Sequence, residues 1–374
     1  MCILPFVSWV VWKASPQHRL SIVLLDKTVS DTTRMEHRSL FWILRHKKIV
    51  RPDGSPYELA RDYFGFHPHL PGVRGSYHFR DWDGLDPKAL DSIANHADLI
   101  YYTDAYGVYT ADWEKGTGGL DRSQRIYGGM TAKEAEVLKR ARDLGKLVIC
   151  EFNTIADPTP TAVRRRFEQD FDLSWTGWTL RSFDNLDSTV NRELPPWLIR
   201  LQLEQHHQWP FKGPGIAFVH QDGRLFILET GIHLIDQTPW IITSPKFGKE
   251  LGVPDSLPYP YWIDLIATGK SIEVVSSYQL HPTDSGKAVL RRYAVPETFP
   301  AVVRSRPPAR FWYFAGDHAD NNVPLKYTDY AGIGMLSSFF HEGRPEDRRG
   351  FFWEYHRPLM ERILQAEINR HPDR

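Results

Sequence analysis

The sequence has little cysteine, no net charge and no internal repeat. Its two cysteines among 374 residues, Cys2 and Cys150, are too few for a disulfide framework, and they leave the redox compartment open. Lysine plus arginine and aspartate plus glutamate each total 46, so no overall field would gather nucleic acid. These absences argue against a disulfide-stapled scaffold, a repeat protein and a nucleic-acid-binding protein.

The first apolar run is too short to span a membrane. Cys2–Trp12 is followed by cations from Lys13 onward, whereas a span needs about 20 apolar residues and a signal peptide begins with a basic region. The run is either an ordinary buried segment or the end of a membrane anchor. Two tryptophans before the cations are typical of a membrane interface. We therefore expect residues 1–19 to be an anchor remnant, and the protein to be membrane-tethered in the cell envelope, facing outside the cytoplasm.

Strands and helices alternate between residues 20 and 171. The predicted strands are Leu20–Leu25, Asp98–Thr103 and Lys146–Phe152. The predicted helices are Thr33–Lys47, Asp86–His96, Thr131–Leu144 and Thr159–Phe171. A loop rich in Pro, Gly and His is predicted at Arg51–Gly75. Strands separated by helices of this length predict an α/β fold with a mostly parallel sheet.

The second half has a different pattern. Gly215–His220 and Arg224–Glu229 form a predicted hairpin, and two later strands and a C-terminal helix follow it. We predict one α/β domain made of residues 20–190 and 271–330. A β-rich insertion at 191–270 interrupts it, and a helical segment at 331–374 follows.

Two segments resemble a known superfamily. Met130-Thr131-Ala132-Lys133-Glu134 opening a helix, then Gly145-Lys146 and an apolar strand, resembles the central unit of the class I glutamine amidotransferase-like (flavodoxin-like) superfamily. Phe299–Val302 followed by Arg310–Asp317 is similar to the closing strands of its ThuA-like and other non-amidotransferase branches. The resemblance implies a flavodoxin-like, mostly parallel sheet flanked by helices.

The activity of the amidotransferases does not follow from this resemblance. Those enzymes place a nucleophilic cysteine in a glycine-flanked elbow after a central strand. Cys150 has no glycine on either side and is predicted to be buried within a strand. Glutaminase chemistry is therefore not expected.

Polar side chains follow three of the predicted strands. They are Asp26 with Lys27, then Asp104, then Glu151 with Asn153. Ligands of open α/β sheets bind outside the carboxyl ends of the strands, and clustered acids raise each other's pKa or bind a cation. We predict Asp104 and Glu151 as catalytic acid–base residues and the others as ligand-binding. In the alternative interpretation these side chains only cap backbone groups and turns.

Two further motifs fall near the same edge. His37, at the start of the helix after Asp26, is a predicted catalytic acid, base or ligand. Trp175 and Trp178 flank Gly177 and are predicted to form a stacking platform, although such pairs also plug domain cores.

Carboxylate and imidazole groups follow two later strands. Glu229 begins one group, and Asp317 and His318 begin the other, so we predict these three as ligand-binding. Neither group has the spacing of an established metal motif, so no cofactor is predicted, although a divalent cation could bind. Gly116, Gly118 and Gly119 do not form a nucleotide fingerprint.

Together these features predict a cell-envelope-associated protein with an amidotransferase-like domain. Our first hypothesis is a carbohydrate-directed hydrolase that uses the strand-end carboxylates. The alternative is a catalytically inactive module that binds a glycan or a protein partner at the same edge. The sequence does not indicate an oligomeric state.

Overall fold

The computed structural model describes residues 3–115 and 123–372. The strands are β1 His18–Arg19, β2 Ile22–Asp26, β3 Ile49–Val50, β4 Phe64–Pro68, β5 Tyr77–Arg80, β6 Leu99–Asp104, β7 Val108–Tyr109, β8 Arg125–Tyr127, β9 Leu147–Glu151, β10 Leu173–Phe183, β11 Gly215–His220, β12 Leu225–Glu229, β13 Trp240–Thr243, β14 Ser256–Pro258, β15 Trp262–Thr268, β16 Ile272–Gln279, β17 Thr298–Ser305 and β18 Phe311–Phe314.

The helices include each one predicted from the sequence. They are α1 Ile3–Ala14, α2 Met35–His46, α3 Pro87–His96, α4 Thr110–Lys115, α5 Ala132–Asp143, α6 Thr161–Phe171, α7 Pro196–His206, α8 Pro245–Leu251, α9 Asp284–Arg292, α10 Arg348–Phe351 and α11 Arg357–Ile368. A π-helical turn, Phe352–His356, joins α10 to α11. Two 3₁₀ segments precede it, Leu325–Tyr327 and Ile333–Phe339.

The main sheet has ten strands and is mixed. Its order is β14-β13-β16-β17-β18-β9-β6-β2-β4-β5. The central strands β18, β9, β6, β2 and β4 pair in parallel, and the outer pairs are antiparallel. The fold is therefore α/β, with a parallel centre and antiparallel edges.

The parallel centre is buried because helices cover it. Every residue of β6 and β9 is buried, as expected for strands that are covered on both faces. Asp86 caps α3 by accepting from the Ala89 amide at 2.8 Å. Thr131 and Glu134 form a capping box at the start of α5. These caps fix the residues at which α3 and α5 begin beside the sheet.

A second, four-stranded antiparallel sheet has the order β12-β11-β10-β15. It contains the predicted hairpin, and Asp264 of β15 donates its backbone N–H to the Ala315 carbonyl just beyond β18 at 2.7 Å. This contact ties the second sheet to the end of the parallel centre. Residues 240–258, which are predicted to belong to the insertion, pair through β13 with β16 of the main sheet.

Helix α1 stands apart from the core. Several of its apolar side chains are exposed, among them Leu4 at 81% and Phe6 at 63%. Its contacts include hydrogen bonds from Trp12 Nε1 to the His46 carbonyl at 2.8 Å and from Ser8 to the Ala331 carbonyl at 2.7 Å. Within the described ranges, none of the helices is long and apolar enough to cross a membrane.

Candidate functional site

A cavity of about 220 Å³ lies at the carboxyl ends of the parallel strands. The chain after β2 crosses to β4 on one side, and β6 lies on the other side of β2. In open α/β sheets such a divergence of connections leaves a crevice where ligands bind. The second sheet forms the opposite wall through β10, β11 and β15. Carboxylates line the cavity at Asp31, Glu36, Asp104, Asp112, Asp157, Asp317 and Asp320.

Asp104 is the predicted catalytic residue that lines this cavity. The register pairs it with Asp26 on β2, so both acids end neighbouring strands. Its Oδ1 accepts a hydrogen bond from the Tyr106 amide at 2.6 Å. Burial raises the pKa of Asp104 well above its usual value, and the charges of Asp26 and Asp320 raise it further. Asp104 can therefore hold a proton and give it up inside the cavity.

The carboxylates of Glu36, Asp317 and Asp320 line the same cavity. Burial raises the pKa of Asp317, and the neighbouring Asp320 and Asp104 add to the effect. Burial also raises the pKa of Glu36, with Asp26 and Asp320 as further causes. Crowded carboxylates of this kind favour a shared proton or a bound cationic group.

Glu151 lies behind the cavity wall and is not among the lining residues. It is fully buried, and its carboxylate accepts hydrogen bonds from the amides of His318 at 3.0 Å and Ala319 at 2.9 Å. The Tyr101 hydroxyl donates to its other oxygen. Glu151 thus holds the loop that carries Asp317 and Asp320, and the structure does not bring it together with Asp104 in one hollow.

The other polar residues after β2 are also engaged behind the wall. Asp26 Oδ2 lies 2.6 Å from His37 Nδ1, and both side chains are fully buried. Lys27 forms an ion pair with Glu134 at 2.7 Å and donates to the Gly129 carbonyl at 2.9 Å. These groups fasten α2 and α5 to the sheet, and none of them lines the cavity.

Asn153 does line the cavity, and a buried acid positions it. Its backbone has φ of 63°, a left-handed conformation that Asn tolerates. The backbone N–H of Asn153 donates to the carboxyl group of Asp264 at 2.7 Å, and the Thr179 hydroxyl donates to the same group at 2.9 Å. Burial raises the pKa of Asp264 to about 7. Asp264 is therefore a positioning residue that titrates near neutrality.

Aromatic side chains form much of the remaining wall. They are Tyr106, Phe152, Trp175, Trp197, Tyr261 and Trp262. The structure separates the predicted tryptophan pair. Trp175 reaches the cavity, whereas Trp178 packs against Phe226 and Tyr293 in the core. An odd spacing along a strand places side chains on opposite faces.

Two arginines hold Tyr261 in place. The guanidinium of Arg348 lies 3.8 Å from the centre of the Tyr261 ring, and its Nη1 lies 3.3 Å from Asp320 Oδ2. Arg181 lies 4.9 Å from the same ring and pairs with Glu193. The Tyr261 hydroxyl donates to Asp320 Oδ2 at 3.1 Å. Both cations are thus matched by carboxylates.

Two further predicted ligand-binding residues lie away from the cavity. Glu229 ends β12 and pairs with Gly215. His318 is buried, its ring stacks on Phe314, and its Nε2 lies 3.2 Å from the Tyr278 hydroxyl. Neither of them lines the cavity. The glycines 116, 118 and 119, and Cys2, lie outside the described residues.

Cys150 is buried in β9, and burial raises the pKa of its thiol well above the usual value. A buried, protonated thiol is a poor nucleophile. In the part of the chain that the structure describes, no three His, Cys, Asp or Glu side chains are grouped so that they could hold one metal ion.

Several residues of the cavity were not predicted from the sequence. Glu36 stands beside the predicted His37, and Asp320 stands three residues after Asp317, so both were within reach of the same motifs. Tyr261 and Trp262 belong to a short aromatic run, which is a sequence signal for a binding wall. Arg181 gave no signal, because a single arginine within a strand has no pattern.

Comparisons with known proteins give little. No protein-family model matches the chain, and no curated protein matches it. Among solved structures, the chain is similar to a protein described as ThuA-like from Bacteroides uniformis, with 8% identity and a TM-score of 0.33. That match covers 90% of this chain and 96% of the other. A score this low carries no argument about function.

Proposed function

We propose that this protein is a hydrolase directed at carbohydrate, with Asp104 and Asp317 as its acid–base groups. The observation that supports it is one cavity in which carboxyl groups of raised pKa face an aromatic wall. Carboxylates accept hydrogen bonds from sugar hydroxyls. Flat aromatic rings pack against the apolar faces of sugar rings. A carboxyl group that keeps its proton near neutral pH can protonate a leaving oxygen.

The geometry changes the roles expected from the sequence. Asp104 keeps its role, and Asp317 takes the place of Glu151 because it lines the same cavity. His37 and Glu151 become positioning residues, since their hydrogen bonds hold α2 and the loop after β18. Trp175 and Trp262 supply the ring surface. This assignment does not involve Trp178, Glu229 or His318.

The fold assignment that belongs to this proposal is flavodoxin-like. In order along the chain, the parallel strands β2, β4, β6, β9 and β18 lie in the spatial order 2-1-3-4-5. That order is the one found in flavodoxin-like sheets, and it supports the resemblance drawn from the sequence. Membership of a ThuA-like branch remains a prediction.

The experiment is a thermal-shift screen of the purified chain against neutral and charged oligosaccharides. Ligands that prefer the folded form raise the melting temperature, so we expect stabilisation by at least one saccharide class. Mass spectrometry of the incubated saccharide then reports hydrolysis. A chain that no saccharide stabilises would overturn the proposal. A saccharide that binds and stays intact would favour the alternative, a glycan-binding module.

A membrane location for the protein is supported by one surface patch. Helix α1, which carries exposed apolar side chains, is joined to the chain just before the segment Ile333–Phe339, because Ser8 and Ala331 exchange two hydrogen bonds. In that segment Met335 is 86% exposed and Phe339 is 81% exposed. Apolar side chains grouped on a surface are typical of contact with a membrane or a partner. We propose that this patch rests on the outer face of the cell membrane.

A further inference from the structure

The charges around the cavity are unequal. Among the described residues, seven carboxylates line it, and the basic side chains in the lining are Arg181 and His220. Arg181 already pairs with Glu193, and His220 Nδ1 lies 2.7 Å from Asp222. Arg348, behind the wall, lies 3.3 Å from Oδ2 of Asp320 and partly offsets its charge. These three described cations are still fewer than the seven acids that line the hollow. Acids in a confined space attract a ligand of positive charge.

At the cavity wall, two buried carboxylate oxygens have no donor among the residues that the structure describes. Asp320 is 9% exposed, and within residues 3–115 and 123–372 no group donates to its Oδ1, although Oδ2 is bonded to Tyr261. Oε2 of Glu36 is buried in the same way. The segments that carry the two acids are in contact, since the Asn321 amide donates to the Met35 carbonyl at 3.3 Å, and both acids line the same cavity. A buried acceptor without a donor costs free energy that a ligand can recover.

The shape of this acid group favours an organic cation over a metal ion. A divalent ion needs several oxygen ligands at about 2.0–2.6 Å, and no suitable trio exists among the described residues. An ammonium group does not need several oxygens around one point, because it donates up to three hydrogen bonds to separate acceptors. Asp320 Oδ1 and Glu36 Oε2 are acceptors of this kind.

We propose that the cavity is specific for an amino sugar with a free ammonium group, which donates to Asp320 and Glu36. This inference rests on the proposed function, because it names the substrate class of the same site. A charge-assisted hydrogen bond contributes about 1.5–3 kcal/mol, which corresponds to about tenfold or more in affinity. A neutral sugar of the same shape lacks that contribution.

Three tetrasaccharides that differ only at carbon 2 test the proposal. They are the β-1,4-linked tetramers of glucosamine, N-acetylglucosamine and glucose, which carry an ammonium, an acetamide and a hydroxyl group. We expect the glucosamine tetramer to bind at least about tenfold more tightly than the other two in calorimetric titrations at low salt. The advantage should shrink at high salt, because screening weakens attraction between charges.

The possible outcomes separate this inference from the proposed function. Equal or tighter binding of the glucose or N-acetylglucosamine tetramer would overturn the ammonium preference and leave a saccharide site. Binding of a simple diamine without binding of any tetrasaccharide would overturn the carbohydrate function and keep the preference for an amine. If none of these probes binds, both proposals are wrong.

Two variants locate the effect. Asp320→Asn and Glu36→Gln each replace a carboxyl group, which can ionise beside an ammonium group, by a neutral amide that keeps a carbonyl oxygen. Each should lower affinity for the glucosamine tetramer about tenfold and leave the glucose tetramer nearly unaffected. Asp284→Asn, an acid fully exposed on α9, is the matched control and should change neither. If one cavity variant fails to fold, the other still decides. Unchanged preference in a folded variant would contradict the proposal.

Discussion

The cavity wall and the layer directly behind it contain the same kind of residue in opposite states. Behind the wall, the carboxylate of Asp26 meets His37, that of Glu134 meets Lys27, and that of Glu151 meets two backbone amides. On the wall, Glu36 and Asp320 each keep a buried oxygen to which no described residue donates, although the other oxygen of Asp320 bonds to Tyr261 and pairs with Arg348. The difference teaches that acids at one sheet edge divide by how completely they are bonded. Asp26, Glu134 and Glu151 are fully bonded and hold the fold, whereas Glu36 and Asp320 keep an oxygen that a ligand can bond.

The first prediction concerns the wall. Asp104→Asn removes the proposed acid–base group without changing its size, so kcat on the saccharide substrate should fall by about 10²–10⁴-fold. Stability should change little, because the Asn oxygen can still accept from the Tyr106 amide. Steady-state kinetics and urea unfolding measure the two effects. Asp284→Asn is the control. Wild-type turnover in Asp104→Asn would show that Asp104 is not an acid–base group of the reaction.

The second prediction concerns the layer behind it. Lys27→Met leaves Glu134 in a buried place without its cation, and breaking such a pair costs about 3–5 kcal/mol. The double variant Lys27→Met with Glu134→Gln should recover part of that loss, since the neutral amide keeps an acceptor for the cap of α5. Urea unfolding of the three proteins measures the free energies. A single variant as stable as wild type would show that the pair does not hold the fold.

The third prediction uses the pH dependence of a residue between the two regions. The pKa of Asp264 is raised to about 7 in the fold, so the folded state keeps a proton that the unfolded state releases near pH 4. Stability from this group is therefore present at low pH and is lost as pH rises to about 7. Between pH 5 and 8 the loss is about 3 kcal/mol.

Asp264→Asn removes this titration. The stability of wild type minus that of Asp264→Asn should therefore fall between pH 5 and pH 8, as measured by urea unfolding at each pH. A difference that is constant with pH would contradict the raised pKa.

The smallest predicted effect lies on the membrane patch. Phe339→Ser removes a side chain that is 81% exposed, so folding should be unaffected while binding to anionic lipid vesicles falls about tenfold. Vesicle flotation measures the bound fraction. Ile235→Ser is the control, since Ile235 is 68% exposed and its amide bonds to the His281 carbonyl rather than to α1 or Ile333–Phe339. Equal flotation of both variants and wild type would show that Phe339 does not contribute to membrane binding.

The elements near the parallel centre could be predicted because local signals agreed there. The capping residues Asp86 and Thr131 marked helix starts, and unbroken apolar runs marked β2, β6 and β9. The strand β4 was missed, since Phe64–Pro68 lies within a stretch whose Pro, Gly and His predict a loop. Its pairing with β2 is a long-range contact, which overrides local propensity.

The candidate site was only partly predictable for a similar reason. Asp104, Asn153, Trp175 and Asp317 were named from the sequence, and they line the cavity. Glu151 and His37 sit at equivalent strand-end and helix-start positions, yet they face inward. Position along a strand or helix fixes which edge of the sheet a residue reaches, but the partners that its side chain meets there depend on distant segments of the chain.

The sequence alone determined that the strands end in acids at one edge of an α/β sheet, because strand period and helix caps are local properties of the chain. The tertiary structure alone decided which acids are satisfied. It brings Arg348, Tyr261 and Asp320 together from segments far apart in sequence, and the partners that a buried carboxylate finds depend on such distant contacts.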